Sequence, residues 1–215
     1  MIRAIVFDVG ETLLDEQGLW HRWADWLDVP RGRLMDTLKD VVRRGAHHRQ
    51  MFEAFRPGFD LASATDARRA AGDDPGFRIE DFHADARPCL ERLRSAGFRV
   101  GIAGNTSAAT ERFLIDAGVA ADFISSAASW GTEKPSPAFF ARVVEVAAFA
   151  PAEIAYVGDR LDNDVLPAMQ AGLIGIFLRR GLWAEVHRAN PDALRADVTI
   201  DALTELPAAF SLRES

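Results

Sequence analysis

Residues 2–13 of the chain are IRAIVFDVGETL, in which the short apolar run of residues 4–7 stops at Asp8. An unbroken apolar run of this length is typical of a strand that is buried on both faces of a parallel sheet. Four later stretches repeat the pattern, and a polar loop follows each: residues 98–103, 123–125, 154–157 and 173–178. The sequence therefore predicts five buried strands.

Helical patterns separate these strands, and their ends carry recognisable signals. Asp85, Ser107 and Ser136 each stand where a helix would begin, and their side chains can cap its first turn. A glycine follows each of the first two helices, and a further helix is expected from about residue 163 to residue 172. Repeated strand and helix units connected by right-handed crossovers predict a doubly wound α/β fold with a parallel sheet.

Residues 16–84 break this rhythm because they contain no convincing strand. Apolar residues recur there at helical spacing in two groups, first Leu19, Trp23, Trp26 and Leu27, then Leu34, Leu38, Val41 and Val42. We therefore predict an α/β core formed by residues 1–15 and 85–215. A small helical domain, residues 16–84, would be inserted directly after the first strand.

Composition narrows the range of partners and compartments. The formal net charge of −7 argues against an extended nucleic-acid interface, which needs clustered Lys and Arg. The single cysteine, Cys89, cannot form an intramolecular disulfide and occupies an apolar helical position. We expect no membrane span, no secretory signal and a cytoplasmic location, while the oligomeric state stays open.

Polar side chains stand at the ends of three predicted strands and directly before one predicted helix. Asp8 ends the first strand, Asn105 and Thr106 follow the second, Lys134 precedes a capped helix, and residues 158–164 follow the fourth strand. In an open parallel sheet, ligands bind outside the carboxyl ends of the strands, where such residues would meet. Carboxylates with one lysine at this edge could bind a hard divalent cation and a phosphate together.

In this order, the four segments resemble the motifs of the haloacid dehalogenase (HAD) superfamily of hydrolases. Asp8 matches that family's nucleophile, Lys134 its motif-three lysine, and Asp159 and Asp164 the paired acids of its G-D-x4-D motif. Each motif is weak by itself, but four in order over nearly the whole chain are specific. The helical insertion of residues 16–84 is similar in position to the family's C1-type cap.

The resemblance implies a Mg²⁺-dependent phosphatase of a small phosphate ester. Asp8 would attack phosphorus and form an aspartyl-phosphate, while Lys134 offsets the repulsion between the two anions. The metal would be held by the carboxylates of Asp8 and Asp159 and by the backbone carbonyl of Gly10, while Asp164 would orient it either as a further ligand or from behind the ligands.

Phosphate oxygens would be bound by Lys134 and by backbone amides at Asn105 and Thr106, close to a helix start. Motif two departs from the family pattern here, because Gly104 stands where the family usually has Ser or Thr. Thr106 and Ser107 are both candidate replacements, and the sequence does not decide between them.

Gly10 is the larger departure, because the family's phosphatases usually carry a second aspartate at this position as general acid and base. Loss of such a group typically costs a factor of about 100 to 10,000 in rate. Glu11 is adjacent but would have to reach from a different backbone position. Two alternatives therefore stay open: a weakly active or non-catalytic phosphate-binding regulatory protein, and a haloacid dehalogenase, which needs no metal.

Overall fold

The computed structural model describes residues 1–187 and 190–206, and the chain divides into two compact units. The first unit consists of Met1–Asp15 and of the chain from Phe82 onward, and the second is Glu16–Asp81. Parallel strands flanked by helices make up the first unit, so the predicted α/β fold class is confirmed. The assignment of the second unit as a cap stays a prediction.

In the described part of the first unit, six parallel strands form one sheet in the order β3-β2-β1-β4-β5-β6. Their bounds are Ala4–Phe7, Arg99–Gly104, Phe123–Ser126, Ile154–Gly158, Ile174–Leu178 and Val198–Ile200, numbered β1 to β6. The five predicted strands are all present. The prediction missed β6, because an edge strand of three residues is too short to show a hydrophobic period.

Strand register brings the predicted site residues to the same edge of the sheet. β1 lies between β2 and β4, and Phe7 at its end pairs with Ile102 on one side and Val157 on the other. The next residue, Asp8, donates its backbone N–H to the carbonyl of Val157 at 2.9 Å. Because all strands run in one direction, the loops after β1, β2 and β4 leave from this edge.

The second unit is helical throughout its regular structure. Its helices are α1, Gln17–Leu27; α2, Arg31–Arg43; and α3, Leu61–Ala70, with a 3₁₀ segment at His48–Ala54 between the last two. The two predicted helices correspond to α1 and α2. A bidentate ion pair between Arg22 and Asp81, at 3.1 and 2.6 Å, connects α1 to the end of this unit.

Six helices follow in the described part of the first unit. They are α4, Ala86–Ser95; α5, Ala108–Asp116; α6, Ala127–Trp130; α7, Pro137–Ala147; α8, Leu166–Gln170; and α9, Gly181–His187. The predicted helix over residues 163–172 instead begins as a π-helical turn, Leu161–Val165, and continues as α8. The part of the chain that the structure describes holds no helix long and apolar enough to cross a membrane.

Two of the three predicted helix caps are confirmed. The Ser107 hydroxyl accepts from the N–H of Thr110, and the Ser136 hydroxyl from that of Ala138. The prediction for Asp85 was wrong, because its carboxylate pairs with Arg180 and accepts from the N–H of residue 203 at 3.0 Å. A charge-assisted bond to a guanidinium is stronger than a local capping bond, so the long-range partner determines where the side chain points.

The core on one face of the sheet is built from large side chains of α7 and of the central strands. Phe139, Phe140 and Val143 of α7 pack against Val6 and Tyr156, all of them fully buried. Cys89 of α4 is also buried, as predicted, and burial raises the pKa of its thiol to about 12.

Close packing across the sheet explains one glycine and yields a stability test. A Cβ added at Gly101 of β2 would overlap the ring of Phe123, whereas one at Gly32 in α2 would meet nothing within 4 Å. Gly101→Ala should therefore lower the free energy of unfolding by about 1–3 kcal/mol through overpacking. Gly32→Ala should leave it unchanged or raise it by up to about 1 kcal/mol. Urea unfolding of both variants checks this, and equal effects at the two sites would contradict it.

Candidate functional site

Three carboxylates meet at the carboxyl edge of the sheet. One oxygen from each of Asp8, Asp159 and Asp164 lies within 4.8 Å of the other two. Their exposed fractions are only 8%, 2% and 0%. The first directly follows β1 and the second directly follows β4, while the third belongs to the π-helical turn after β4. Buried carboxylates are rare unless they are paired or bind a cation, so this cluster is a candidate metal site.

Lys134 enters the same cluster and lies between two of the acids. Its Nζ is 2.6 Å from Oδ1 of Asp8 and 2.6 Å from Oδ1 of Asp164, and the residue is 3% exposed. Burial opposes protonation of this amine, but the charges of Asp164 and Asp8 outweigh it and raise the pKa of Lys134 well above its usual value. The ammonium is therefore a permanent positive charge at neutral pH.

Asp164 shows that one ammonium does not fully neutralise the cluster. Burial, assisted by the charge of Asp8, raises the pKa of the Asp164 carboxyl to about 6 although Lys134 opposes the shift. Oδ2 of Asp164 accepts from the N–H of Arg160 at 3.0 Å, which closes the turn. A Cβ at Gly158 would overlap the Asp164 carboxylate, so the glycine of the G-D-x4-D motif is required by close approach.

Tyr156 is a site residue that the sequence reasoning missed. It is the only tyrosine in the chain and lies in the otherwise apolar strand β4, fully buried. Its hydroxyl donates to the carbonyl of Ala103 at 2.7 Å, and Nζ of Lys134 lies 5.4 Å from its ring centroid. Burial raises the phenol pKa well above its usual value despite the positive charge of Lys134. A lone hydroxyl in a buried strand was the available signal.

Asn105 and Thr106 lie after β2, and both make hydrogen bonds with the main chain. The carboxamide of Asn105 bonds to the main chain of Lys134 at both of its ends. The backbone N–H of Thr106 donates to the carbonyl of Gly104 at 2.8 Å, and so turns back on its own strand. Phosphate binding at these two positions stays a prediction.

Gly104 has a physical explanation that the sequence could not supply. An ideal Cβ at this position would lie 2.5 Å from Oδ1 of Asp8 and 3.2 Å from the side chain of Val9. A serine or threonine here is therefore incompatible with the observed position of the Asp8 carboxylate.

The loop after Asp8 is held by the rest of the first unit. Gly10 forms an isolated β-bridge with Leu14, and its φ is not in the left-handed region. Glu11 has a φ of 56°, and its side chain lies against Gly181 at the start of α9. The guanidinium of Arg180 donates to the carbonyl of Thr12 at 3.3 Å.

Comparison with known proteins shows the family of the chain. Residues 2–172 match the family of haloacid dehalogenase-like hydrolases, so the chain belongs to that family and is a hydrolase. The predicted family is thereby confirmed, whereas the C1-type cap is not specifically tested.

Its relatives include proteins named as phosphatases. The chain is 30% identical to a glyceraldehyde 3-phosphate phosphatase of Methanopyrus kandleri over 224 residues, 96% of each chain. A second glyceraldehyde 3-phosphate phosphatase, from Pyrococcus furiosus, is 27% identical over 99% of this chain and 93% of its own.

Solved structures share the fold at lower identity. A HAD-type hydrolase of Bacillus subtilis bound to magnesium has a TM-score of 0.69 and 21% identity, covering 95% of this chain and 96% of its own. The L-2-haloacid dehalogenase of Xanthobacter autotrophicus has a TM-score of 0.66 and 21% identity, covering 98% and 99%. At this identity, both show the fold alone.

Lys134→Met tests whether the ammonium stabilises the metal-free site. Removing one partner of a buried ion pair leaves an uncompensated charge, so the free energy of unfolding in chelator should fall by about 3–5 kcal/mol at pH 8. Lys39→Met, at the only other lysine, should change it by less than about 1 kcal/mol. Urea unfolding measures both.

The loss of unfolding free energy in Lys134→Met should shrink as the pH falls. The native pKa of Asp164 lies above its ordinary value, so protonation favours the folded state as the pH falls through about 6. Lowering the pH therefore removes a charge that the variant cannot neutralise. A deficit that is the same at pH 5 and pH 8 would contradict the assigned charge balance.

Proposed function

We propose that the chain is a Mg²⁺-dependent phosphatase of a small phosphate ester that acts through an aspartyl-phosphate on Asp8. The observation that carries the proposal is the buried group of Asp8, Asp159 and Asp164 with Lys134 bonded to two of them. The phosphatase names of the relatives point to the same chemistry.

The donor set fits a hard divalent cation. Three buried carboxylates face one ammonium, so the ionised cluster carries a net negative charge, and carboxylate oxygens are the preferred ligands of Mg²⁺. Asp8, Asp159 and Asp164 would hold the ion with the backbone carbonyl of Gly10. When bound, it would offset phosphate charge and polarise the phosphoryl oxygens.

The protein's own groups would carry the covalent step. An Asp8 oxygen forms a bond to phosphorus while the bond from phosphorus to the ester oxygen breaks, and the alcohol leaves with a proton from solvent. Water then attacks the aspartyl-phosphate, which releases inorganic phosphate and restores Asp8. Lys134 neutralises charge during both displacements, and the main chain near Asn105 and Thr106 would bind the other phosphate oxygens.

The relatives suggest a substrate of the size of a phosphorylated triose, and glyceraldehyde 3-phosphate is the first to test. Residues 16–84 would act as the helical cap that selects it. We place the protein in the cytoplasm, where such metabolites occur, without a nucleic-acid or membrane partner.

Gly10 favours a second candidate, a phosphate-binding protein of the same family with slow turnover. Without a carboxyl group at this position, the leaving oxygen lacks a general acid there, which typically contributes a factor of about 100 to 10,000. This protein would bind Mg²⁺ and phosphate at the same residues but hydrolyse unactivated esters poorly.

Asp8→Asn should abolish hydrolysis of glyceraldehyde 3-phosphate and p-nitrophenyl phosphate while leaving the fold intact, because the amide is a poor nucleophile. Wild-type activity should disappear in chelator and return with Mg²⁺. Asp36→Asn on the exposed surface of α2 is the matched control and should keep full activity. Phosphate release and circular dichroism measure the two effects.

Two outcomes would contradict this proposal. Most activity surviving in folded Asp8→Asn protein would remove Asp8 from the mechanism. Metal-independent halide release from a 2-haloacid would move the chain to the dehalogenase class.

Gly10→Asp should raise turnover of alkyl phosphates by about tenfold or more, because it places a carboxyl group beside the leaving oxygen. The φ of Gly10 is not in the left-handed region, so an aspartate meets no backbone strain there. Gly10→Asn is the matched control, since an amide cannot donate as an acid. Activated aryl phosphates should gain less.

The gain must be measured in protein that folds and binds Mg²⁺ as the wild type does. An equal gain from Gly10→Asp and Gly10→Asn would exclude acid catalysis as its cause. No gain from either would mean that another residue supplies the proton or that the chain is the slow phosphate-binding protein.

A further inference from the structure

The backbone of Lys134 is held by one side chain from a neighbouring loop. We propose that Asn105 is a positioning residue, whose carboxamide fixes the main chain of Lys134 and so sets where the ammonium lies between Asp8 and Asp164. The inference rests on the proposed function for its effect on catalysis. The placement of Lys134 by Asn105 depends only on the contacts between these two residues and not on the reaction.

The contact between the two residues is bidentate. The backbone N–H of Lys134 donates to Oδ1 of Asn105 at 2.7 Å, and Nδ2 of Asn105 donates to the carbonyl of Lys134 at 2.9 Å. One carboxamide thus satisfies both main-chain groups of the same residue, as a neighbouring strand would in a sheet. Asn105 and Lys134 lie 29 positions apart, with α5, β3 and α6 between them, so the clamp connects distant parts of the chain.

The surroundings of Lys134 explain why such a clamp is needed. Lys134 is buried, but Glu133 and Pro135 on either side are exposed, so the loop gains little from packing. A local turn from Ser136 N–H to the carbonyl of Glu133, at 3.0 Å, closes over the residue without binding its main chain. A lysine side chain has four rotatable bonds, and its reach is defined only when its backbone is fixed.

Charge increases the demand for accurate placement. The ammonium contacts both carboxylates at 2.6 Å, so a movement toward one of them lengthens its contact with the other. A backbone shift of about 1 Å would break one of these contacts, and displacements of this size can cost about 100-fold in rate. Asn105 would therefore act on the reaction through Lys134, although its own side chain is exposed and contributes little to the core.

The chemistry of the contact is specific to a carboxamide. Asparagine offers one donor and one acceptor on the same short stem, which match the carbonyl and the N–H of Lys134. Aspartate would keep the acceptor but place a negative oxygen against the Lys134 carbonyl. Alanine would lose both bonds, so neither variant should restore the clamp.

A double-mutant cycle tests whether Asn105 acts through Lys134. Asn105→Ala alone should lower kcat by about 10- to 100-fold, and Asn105→Asp should do nearly the same. In a Lys134→Ala background, adding Asn105→Ala should cost less than about twofold, because the residue it positions is already gone. Calorimetric binding of inorganic phosphate with Mg²⁺ gives the same cycle if turnover of Lys134→Ala is too slow to measure.

Asn190→Ala is the matched control. Asn190 is also exposed, and its side chain accepts from a backbone N–H at 2.9 Å, but that N–H belongs to Asp192 in the turn that Asn190 itself caps. It should keep wild-type kcat. Multiplicative losses in the cycle would instead assign Asn105 a direct role on the substrate phosphate and overturn the proposal.

A crystal structure of Asn105→Ala separates this inference from the proposed function. It should show Nζ of Lys134 outside hydrogen-bonding distance of Asp8 or of Asp164, whether or not the wild type hydrolyses any ester. An unmoved ammonium would refute the clamp even in an active phosphatase. A wild type that hydrolyses no phosphate ester, with a displaced lysine in the variant, would refute the function and keep the clamp.

Discussion

The contact between the Lys134 ammonium and the carboxylates of Asp8 and Asp164 is the constraint on which the site depends. Three acids buried at one edge of a sheet repel each other, and a positive charge 2.6 Å from two of them makes the arrangement tolerable. The compensation is incomplete, since the pKa of Asp164 stays raised to about 6. The remaining demand for positive charge is what a divalent cation would satisfy.

Several local features follow from this crowding. Gly104 and Gly158 lack side chains where the carboxylates of Asp8 and Asp164 approach the backbone. In the π-helical turn after β4, the N–H of Val165 donates to the carbonyl of Arg160 at 3.1 Å, and the Asp164 carboxylate accepts from the N–H of the same arginine. Gly104, which departs from the family pattern, and Gly158, which belongs to the G-D-x4-D motif, thus have the same cause. A side chain at either position would overlap one of the clustered acids.

Sequence reasoning predicted the strands, the helical insertion and the four motif positions because each depends on a local pattern. It could not predict contacts between residues distant in the chain. Asp85 was assigned to a helix cap from its local position, because its actual partner, Arg180, lies 95 residues away in the sequence. The bond between the Asn105 side chain and the main chain of Lys134 escaped prediction for the same reason, since nothing near Asn105 in the sequence indicates it. Tyr156 was overlooked because a polar tip in an apolar strand is hidden in the hydrophobic average.

The most direct test of the central claim is a crystal structure of the protein grown with Mg²⁺ and beryllofluoride, a mimic of a phosphoryl group on aspartate. The account predicts beryllofluoride joined to an Asp8 oxygen, Mg²⁺ bound by Asp8 and Asp159, and the ammonium of Lys134 in contact with a fluoride. Mg²⁺ at other residues, or Asp8 unmodified while beryllofluoride lies elsewhere, would contradict it.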